Sequence, residues 1–308
     1  MGRGIGFGKV ILFGEHFVVY GIPSIVSAID KVTTATVERS EGSGWTLEDN
    51  RPSTPGYKEE KLEQQKESID RILKAAGIDT AKTQIKITFG GDLVAASGIG
   101  ASAASCAALA RALSEEFNLG LTDEQINELA YEGEKGYHGN PSGIDNTAAT
   151  YGGLIWFVRG KPNVMERITI KHPVEVVMGN TGLVANTKAA VAGVRERKEK
   201  FPEKYEKIFN EARELAFMAR KALEDYDLKT VGKLMDENHR QLQAIEVSCK
   251  ELDQLVELAR ANGALGAKMT GGGLGGNMVA LTPGKDLQER VARAIEKEGF
   301  DVLKTRIG

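Results

Sequence analysis

The 308-residue chain predicts an α+β fold in two lobes around one cleft. Three observations predict it. Strand-like and glycine-rich stretches fill the first half, four long helical patterns dominate the second, and strand patterns return near the end. Such segregated runs fit two lobes, each packing helices on a sheet. The boundary falls between Val158 and Thr187, which gives lobes of residues 1–170 and 171–308.

In chain order, 9–13 (KVILF) reads as an apolar strand. Gly14, Glu15 and His16 interrupt it before a second apolar run at 17–20, and 21–23 (GIP) turns the chain. Residues 24–28 and 32–38 are β-branched and partly alternating, as strands are. A Gly/Ser turn at 41–44, then Pro52, Pro55 and Gly56, mark irregular chain. Residues 57–76 have helical spacing with charge on one face, closed by Gly77. The alternation of 83–89 (TQIKITF) predicts a strand, and the Ala-rich run 102–117 predicts a helix. Thr122 and Gln125 form a capping box for a helix running to Tyr137. Asn140 as N-cap and Pro141 as first helical residue start a short helix that carries Asp145 and ends near Gly152 and Gly153. Residues 154–158 and 174–178 read as strands. Helical patterns follow at 187–200, 202–224, 228–246 and 249–262. A strand at 264–269, the run TGGGLGG at 270–276 and a strand at 277–281 come next. Pro283 and Gly284 turn the chain into a helix at 286–298 and a last strand at 301–306.

Composition sets outer bounds. With 41% hydrophobic and 27% charged residues, the chain is ordinary globular protein and long enough to bury a substantial core. A formal net charge of −3 gives no electrostatic reason to expect nucleic acid or an anionic membrane. An anionic ligand would have to be met by local positive groups. Cys106 and Cys249 stand far apart with no CxxC pair, so zinc and redox motifs are unsupported, and buried free thiols in a reducing compartment are expected. The first residues carry no secretory leader pattern, and no apolar run approaches membrane-span length. The expectation is a soluble, cytoplasmic protein.

The stretch 90–106 (GGDLVAASGIGASAASC) links a strand to a helix through glycines. Its free backbone N–H groups at the positive end of a helix make an anion site, with phosphate the usual occupant. Small side chains at Ala101, Ala103 and Ala104 keep the approach clear. A tight turn packed by small residues is the alternative. Two dinucleotide-like spacings occur, Gly98-x-Gly100-x-x-Ala103 and Gly271-x-Gly273-x-x-Gly276. The first lacks a second strand ending in an acid, and the second precedes a strand rather than a helix, so a nicotinamide site is disfavoured. A Walker loop fails as well, because Arg3 stands where its first glycine belongs and Val10 follows Lys9.

Phosphoryl transfer needs a phosphate cradle, a metal, a positioned cation and a group at the acceptor hydroxyl. Lys9, Ser102, Glu134 and Asp145 are of the right types. Each also has an ordinary structural reading: a snorkelling lysine, a helix cap, a solvated helix face and a dipole-favoured carboxylate. His16 reads equally as a core histidine and His138 as a loop residue.

The order of four segments narrows these readings. GKVILFGEHFVVYG at 8–21, SGIGASA at 97–103, GEKGYHGNPSGIDN at 133–146 and KMTGGGLGG at 268–276 together resemble the GHMP small-molecule kinase superfamily, within it the branch that phosphorylates mevalonate. The layout is most similar to that branch in kinetoplastid parasites, and the resemblance spans nearly the whole chain. It implies a two-lobed GHMP kinase fold with the active site in the cleft, residues 1–170 being the nucleotide-binding lobe. It implies transfer of phosphate from ATP, with Mg²⁺, to the C5 hydroxyl of mevalonate. By position it assigns Lys9 and Asp145 to catalysis, and Ser97, Gly98, Ile99, Gly100, Ala101, Ser102 and Ala103 to ATP. Ser102 and Glu134 resemble the metal ligands. Lys9, Glu15, His16, Val19, Ser142, Gly143, Asp145, Thr270 and Gly271 fall to the substrate, and a homodimer is implied. Three departures stand out: Phe7 precedes Gly8-Lys9 where proline is frequent, Ala101 replaces the first of two loop serines, and Gly272 stands where alanine is frequent. The alternatives are another kinase of the superfamily, acting on phosphomevalonate, homoserine or a sugar, and a member that binds ligands without turnover.

Overall fold

The computed structural model describes residues 1–95, 98–183, 185 and 187–308. Its contacts divide the chain into two compact units, Met1–Lys9 with Ala28–Gly152, and Val10–Ser27 with Gly153–Gly308. Strands β1 (Gly2–Phe13) and β2 (Ser24–Ser40) each run through the division.

In the first unit, β4 (Gln84–Gly91) lies between β2 and β3 (Gly44–Asp49). It is antiparallel to β2, with Thr33 opposite Gly91 and Ser40 opposite Gln84, and parallel to β3. Alternation places Ile85, Ile87 and Phe89 on one face of β4. They share a core with Ala103, Cys106 and Ala107 of α2 (Ala101–Glu116) and with Ile69 and Ile72 of α1 (Tyr57–Ala75). Helices α3 (Asp123–His138) and α4 (Ile144–Tyr151) complete the unit. The capping box at Thr122 is present, with the Gln125 N–H donating to the Thr122 hydroxyl and the Gln125 side chain accepting from the Thr122 N–H.

Strand β1 begins well before the predicted residue 9. Alternating Gly2, Gly4 and Gly6 carry no strand signal, but a Cβ on any of them would come within 2.1 or 2.2 Å of the Ala104, Ala108 or Ala112 carbonyl oxygen. Helix α2 therefore lies directly on the β1 backbone. Two predicted helix starts are also corrected. Gly100, at φ +75°, is the N-cap of α2, and Ser102 is already its second residue. Gly143, at φ +92°, takes the N-cap of α4 in place of Asn140, whose N–H instead bonds the His138 carbonyl at 2.7 Å. In both places a left-handed glycine turns the chain where a polar cap was expected.

In the second unit, β7 (Val174–Asn180), β8 (Gly266–Thr270), β9 (Asn277–Leu281) and β10 (Asp301–Ile307) pair antiparallel in the order β10-β7-β9-β8. β5 (Leu154–Val158) pairs with Ser24–Ser27 of β2 and with β6 (Val164–Ile168), a strand the sequence had not revealed. The helices are α5 (Thr187–Lys200), α6 (Pro202–Glu224), α7 (Leu228–Ala244), α8 (Lys250–Ala261) and α9 (Lys285–Lys297). Their apolar faces meet Val177, Ala267, Met269, Met278 and Ala280 of the strands in one core that also takes in Phe17 and Ile22. The run TGGGLGG joins β8 to β9 as a hairpin loop, which removes the second dinucleotide spacing.

Cys106 is buried and Cys249 only partly so, and both are free thiols. Among the described residues no helix is long and apolar enough to cross a membrane.

Candidate functional site

The first unit brings four of the predicted residues together. Lys9 lies on β1 with its backbone N–H donating to the Ile99 carbonyl at 2.9 Å. Its side chain is 4% exposed, and its Nζ lies 3.2 Å from Asp145 Oδ1. Asp145 is the second residue of α4, where the helix dipole favours a carboxylate. Ser102 stands in the first turn of α2, its Oγ 3.5 Å from His138 Nε2. Glu134 reaches inward from α3, its side chain 1% exposed and its Oε2 3.7 Å from the same His138 nitrogen. Glu134 is thus not the solvated-face residue that its charged neighbours suggest.

Electrostatics mark Glu134 out. Burial, and then the Asp145 charge, push its carboxyl up to about 8, against the opposing pull of Ser102 and Lys9. Its Oε1 is buried with no hydrogen-bond partner among the described residues. An orphaned carboxylate oxygen beside a hydroxyl is a hard donor set, of the kind Mg²⁺ takes together with substrate phosphates. No group of three or more His, Cys, Asp or Glu side chains converges among the described residues, so these residues alone form no closed metal cage of that kind. One carboxylate, one hydroxyl and a place for phosphate oxygens fit Mg²⁺ and not a structural metal.

The glycine loop is shaped around the lysine. A Cβ on Gly100 would stand 2.7 Å from Lys9 Cγ, so only glycine lets the loop lie on the lysine stem. Gly98 and Gly100 both hold positive φ, and Ile99, Ala101 and Ala103 are buried. Ser97 lies outside the described residues. Gly143 caps α4 and accepts from the Thr147 hydroxyl at 2.6 Å, while Ser142 Oγ accepts from the Ile144 N–H.

Sequence reasoning missed Arg51. It lies buried in an irregular stretch, donates to both Asp49 carboxylate oxygens at 2.9 and 2.6 Å, and donates to the Ala101 carbonyl at 3.3 Å. It also sits over the Phe89 ring at 5.1 Å. The first turn of α2 is tied to β3 through this guanidinium. A lone arginine between a strand and a proline carries no recognisable pattern, and only the fold reveals it. The same fold brings Tyr57, Lys58 and Lys61 around a small cavity beside Ser102.

The second unit carries five of the predicted substrate residues, Glu15, His16, Val19, Thr270 and Gly271. Glu15 is buried and ion-paired with Lys268, whose Nζ also donates to the Met269 carbonyl at 2.7 Å. His16 adopts φ 61° and donates from Nε2 to the Gly272 carbonyl at 3.0 Å. Burial foremost lowers its pKa to about 4, opposed by the Gly272 bond and assisted by the Lys268 and Arg197 charges. The ring is therefore neutral near pH 7, and its buried Nδ1 is an acceptor with no partner among the described residues. Thr270 is not open to a ligand through its hydroxyl, which donates to the Ile11 carbonyl at 2.9 Å and accepts from the Ile11 N–H at 3.2 Å. Val19 lies on the short 3-10 helix Phe17–Tyr20, partly exposed. Gly271 opens the β8–β9 loop at φ +83°. Gly272 packs so closely on Thr187 that a Cβ would stand 2.1 Å from its hydroxyl, which adds the start of α5 to the cluster.

Comparisons with known proteins agree on one relationship. Residues 65–153 match the model for the N-terminal domain of GHMP kinases, and 219–301 match that for GHMP kinases C terminal. The mevalonate kinase of Pyrococcus abyssi is 35% identical, covering 97% of this chain and 93% of its own length. That of Thermococcus sibiricus is 36% identical, with 97% and 94% covered. The crystal structure of L. major mevalonate kinase in complex with R-mevalonate superposes with a TM-score of 0.95 at 40% identity, covering 100% of this chain and 96% of that one.

Proposed function

The chain belongs to the mevalonate kinase family of the GHMP kinases, and on that premise we propose that it transfers the γ-phosphoryl group of ATP to the C5 hydroxyl of mevalonate. The observation that carries the chemistry is the 3.2 Å pair of Lys9 and Asp145 in the unit that holds the first turn of α2. A helix start behind a glycine loop takes the triphosphate through backbone N–H groups. This role falls to Gly98, Ile99, Gly100, Ala101, Ser102 and Ala103, with Ser97 included from the sequence resemblance. The Lys9 ammonium steadies negative charge on the transferring group. Asp145 orients the C5 hydroxyl and accepts its proton. A carboxylate beside an ammonium is a weak base, so the proton moves late, as a loose transition state permits. The new bond joins the C5 oxygen to phosphorus, the bond to the β-phosphate oxygen breaks, and ADP departs.

Ser102 and Glu134 would hold Mg²⁺, which supplies neutralisation of phosphate charge when bound. The orphaned Oε1 of Glu134 supports this assignment. Mevalonate recognition is assigned to Lys9, Glu15, His16, Val19, Ser142, Gly143, Asp145, Thr270 and Gly271. The unpartnered Nδ1 of His16 supports it, since a neutral imidazole acceptor suits a substrate hydroxyl. Thr270 would act through its backbone, its hydroxyl being engaged with Ile11. The protein is further proposed to work as a homodimer, as the resemblance implies, and in the cytoplasm, as the sequence reading expects.

The test is ADP release by purified protein with ATP and Mg²⁺, offered mevalonate, phosphomevalonate, homoserine or galactose in turn. ADP release that depends on mevalonate is the expected result. Turnover with another acceptor and none with mevalonate would overturn the proposal. Ligand binding without ADP formation would overturn it too.

A further inference from the structure

Lys268 opens the motif KMTGGGLGG, yet nothing in the phosphoryl-transfer reading uses it. Its ammonium is fully buried on β8, where desolvation disfavours charge. Its partners are the Glu15 carboxylate and the Met269 carbonyl. A buried ion pair is a poor stabilising device, because well-packed apolar residues of similar volume serve as well or better. What the pair offers is direction.

The surrounding contacts show what is being directed. Lys268 and Thr270 are two apart on β8, so both side chains leave the same face. Thr270 grips the backbone of Ile11 from both sides. Lys268 grips Glu15, and the Gly272 carbonyl just beyond β8 takes His16 Nε2. Three successive contacts from 268, 270 and 272 thus pin the segment from Ile11 to His16. His16 needs pinning, since it holds a left-handed backbone conformation, φ 61°, that a non-glycine residue keeps only when its surroundings enforce it. The Phe17 N–H reaches back to the Glu15 carbonyl at 2.7 Å, which closes the turn from Glu15 to Phe17. Behind Lys268, His239 Nδ1 accepts from the Met269 N–H, and Asp253 Oδ1 lies 3.1 Å from His239 Nε2, so the strand carrying the lysine is itself braced.

We propose that Lys268 is a positioning residue for substrate recognition: it holds Glu15, and through Glu15 it sets the turn that presents His16 Nδ1. The inference rests on the reading of mevalonate as substrate. Lys268 touches neither the substrate nor the transferring phosphate in this role. Its loss would weaken mevalonate binding while leaving the Lys9–Asp145 pair and the nucleotide loop in place.

The experiment measures KM for mevalonate, KM for ATP and kcat in the full-length protein, with thermal melting alongside. Lys268→Met is expected to raise KM for mevalonate at least about tenfold while KM for ATP and kcat stay within about twofold. Glu15→Gln keeps the lysine and the shape, removes the charge, and should show the same split; it also serves if Lys268→Met does not fold. In the double variant, Lys268→Met should add less than about twofold to the effect of Glu15→Gln, because both act through one contact. An unchanged KM for mevalonate in the single variants would overturn the proposal. So would a parallel loss in all three kinetic constants, which general loosening would give, or multiplicative effects in the double variant. If the wild-type protein releases no ADP with mevalonate, the substrate reading itself fails and takes this one with it. With an active wild type, only the positioning role is at stake.

Discussion

Gly100→Ala isolates the contact between the glycine loop and Lys9. The Gly100 backbone sits at φ +75°, a left-handed conformation that costs an L-residue about 1–2 kcal/mol. The added Cβ would stand 2.7 Å from Lys9 Cγ. That is about 0.8 Å inside the roughly 3.5 Å at which two carbons rest. The loop cannot simply lift away, because the Ile99 carbonyl accepts from the Lys9 N–H at 2.9 Å. The lysine stem must therefore swing, and Nζ leaves its place 3.2 Å from Asp145. A displacement on the order of 1 Å at the reacting groups costs about 100-fold in rate. The expected result is a kcat lower by about 100-fold in the ADP-release assay, with Tm lower by a few degrees. Gly44→Ala is the control: Gly44 holds φ +85°, and a Cβ there meets nothing within 4 Å. It should lose comparable stability and keep kcat within about twofold of wild type. If Gly100→Ala turns over within about threefold of wild type, the loop does not set the lysine and the reasoning is wrong.

Further outcomes follow from the same geometry. Asp145→Asn and Lys9→Met should each lower kcat by about 10²–10⁴-fold with the circular dichroism spectrum retained, and rates within a few-fold of wild type would remove both from the chemistry. Glu134→Gln should raise the Mg²⁺ concentration for half-maximal rate by about 10–100-fold at saturating ATP, whereas an unchanged Mg²⁺ titration would dismiss Glu134 as a ligand. Asp49 gives a pH signature. Burial acts to raise its pKa, but the Arg51 and Gln65 contacts outweigh that and hold it at about 2 against the ordinary 3.8. Its folded value is the lower one, so its stabilisation, on the order of 2 kcal/mol, is complete above the ordinary value and lost as pH falls toward the folded value. Urea melts of wild type and Asp49→Asn should therefore differ near neutral pH and converge as pH drops from 3.8 through about 2, and a pH-independent gap would contradict the assignment.

Periodic elements were legible in the sequence because their signal is local. The Ala-rich α2, the capping box of α3 and the long amphipathic helices α6 to α8 all appear where spacing places them. The strand residues that were missed have other causes. β1 opens with alternating glycines chosen to admit α2, so its pattern records the helix above it and no strand propensity. β3 and β6 are short, and most of their residues are exposed or only half-buried, so neither shows a clean apolar alternation. Helix starts were misread by one to a few residues where a left-handed glycine does the work a polar cap was expected to do, at Gly100 and Gly143.

The candidate site shows a deeper limit of motif reading. A motif marks residues that a fold requires together, without saying which of them face a ligand. Lys9, Ser102, Glu134 and Asp145 come together around a short ion pair and an orphaned carboxylate oxygen, an arrangement with open valences. Thr270 carries an equally strong motif signature, yet its hydroxyl is closed on Ile11. Lys268, beside it in the same motif, is wholly enclosed with Glu15. His16 differs from both, for its Nδ1 is a buried acceptor without a partner among the described residues. Open and closed valences therefore sort one motif into groups that would meet a ligand and groups that aim them. Sequence spacing cannot make that distinction, because Lys268 and Lys9 are both buried lysines flanked by glycine-rich loops, and only their partners separate them.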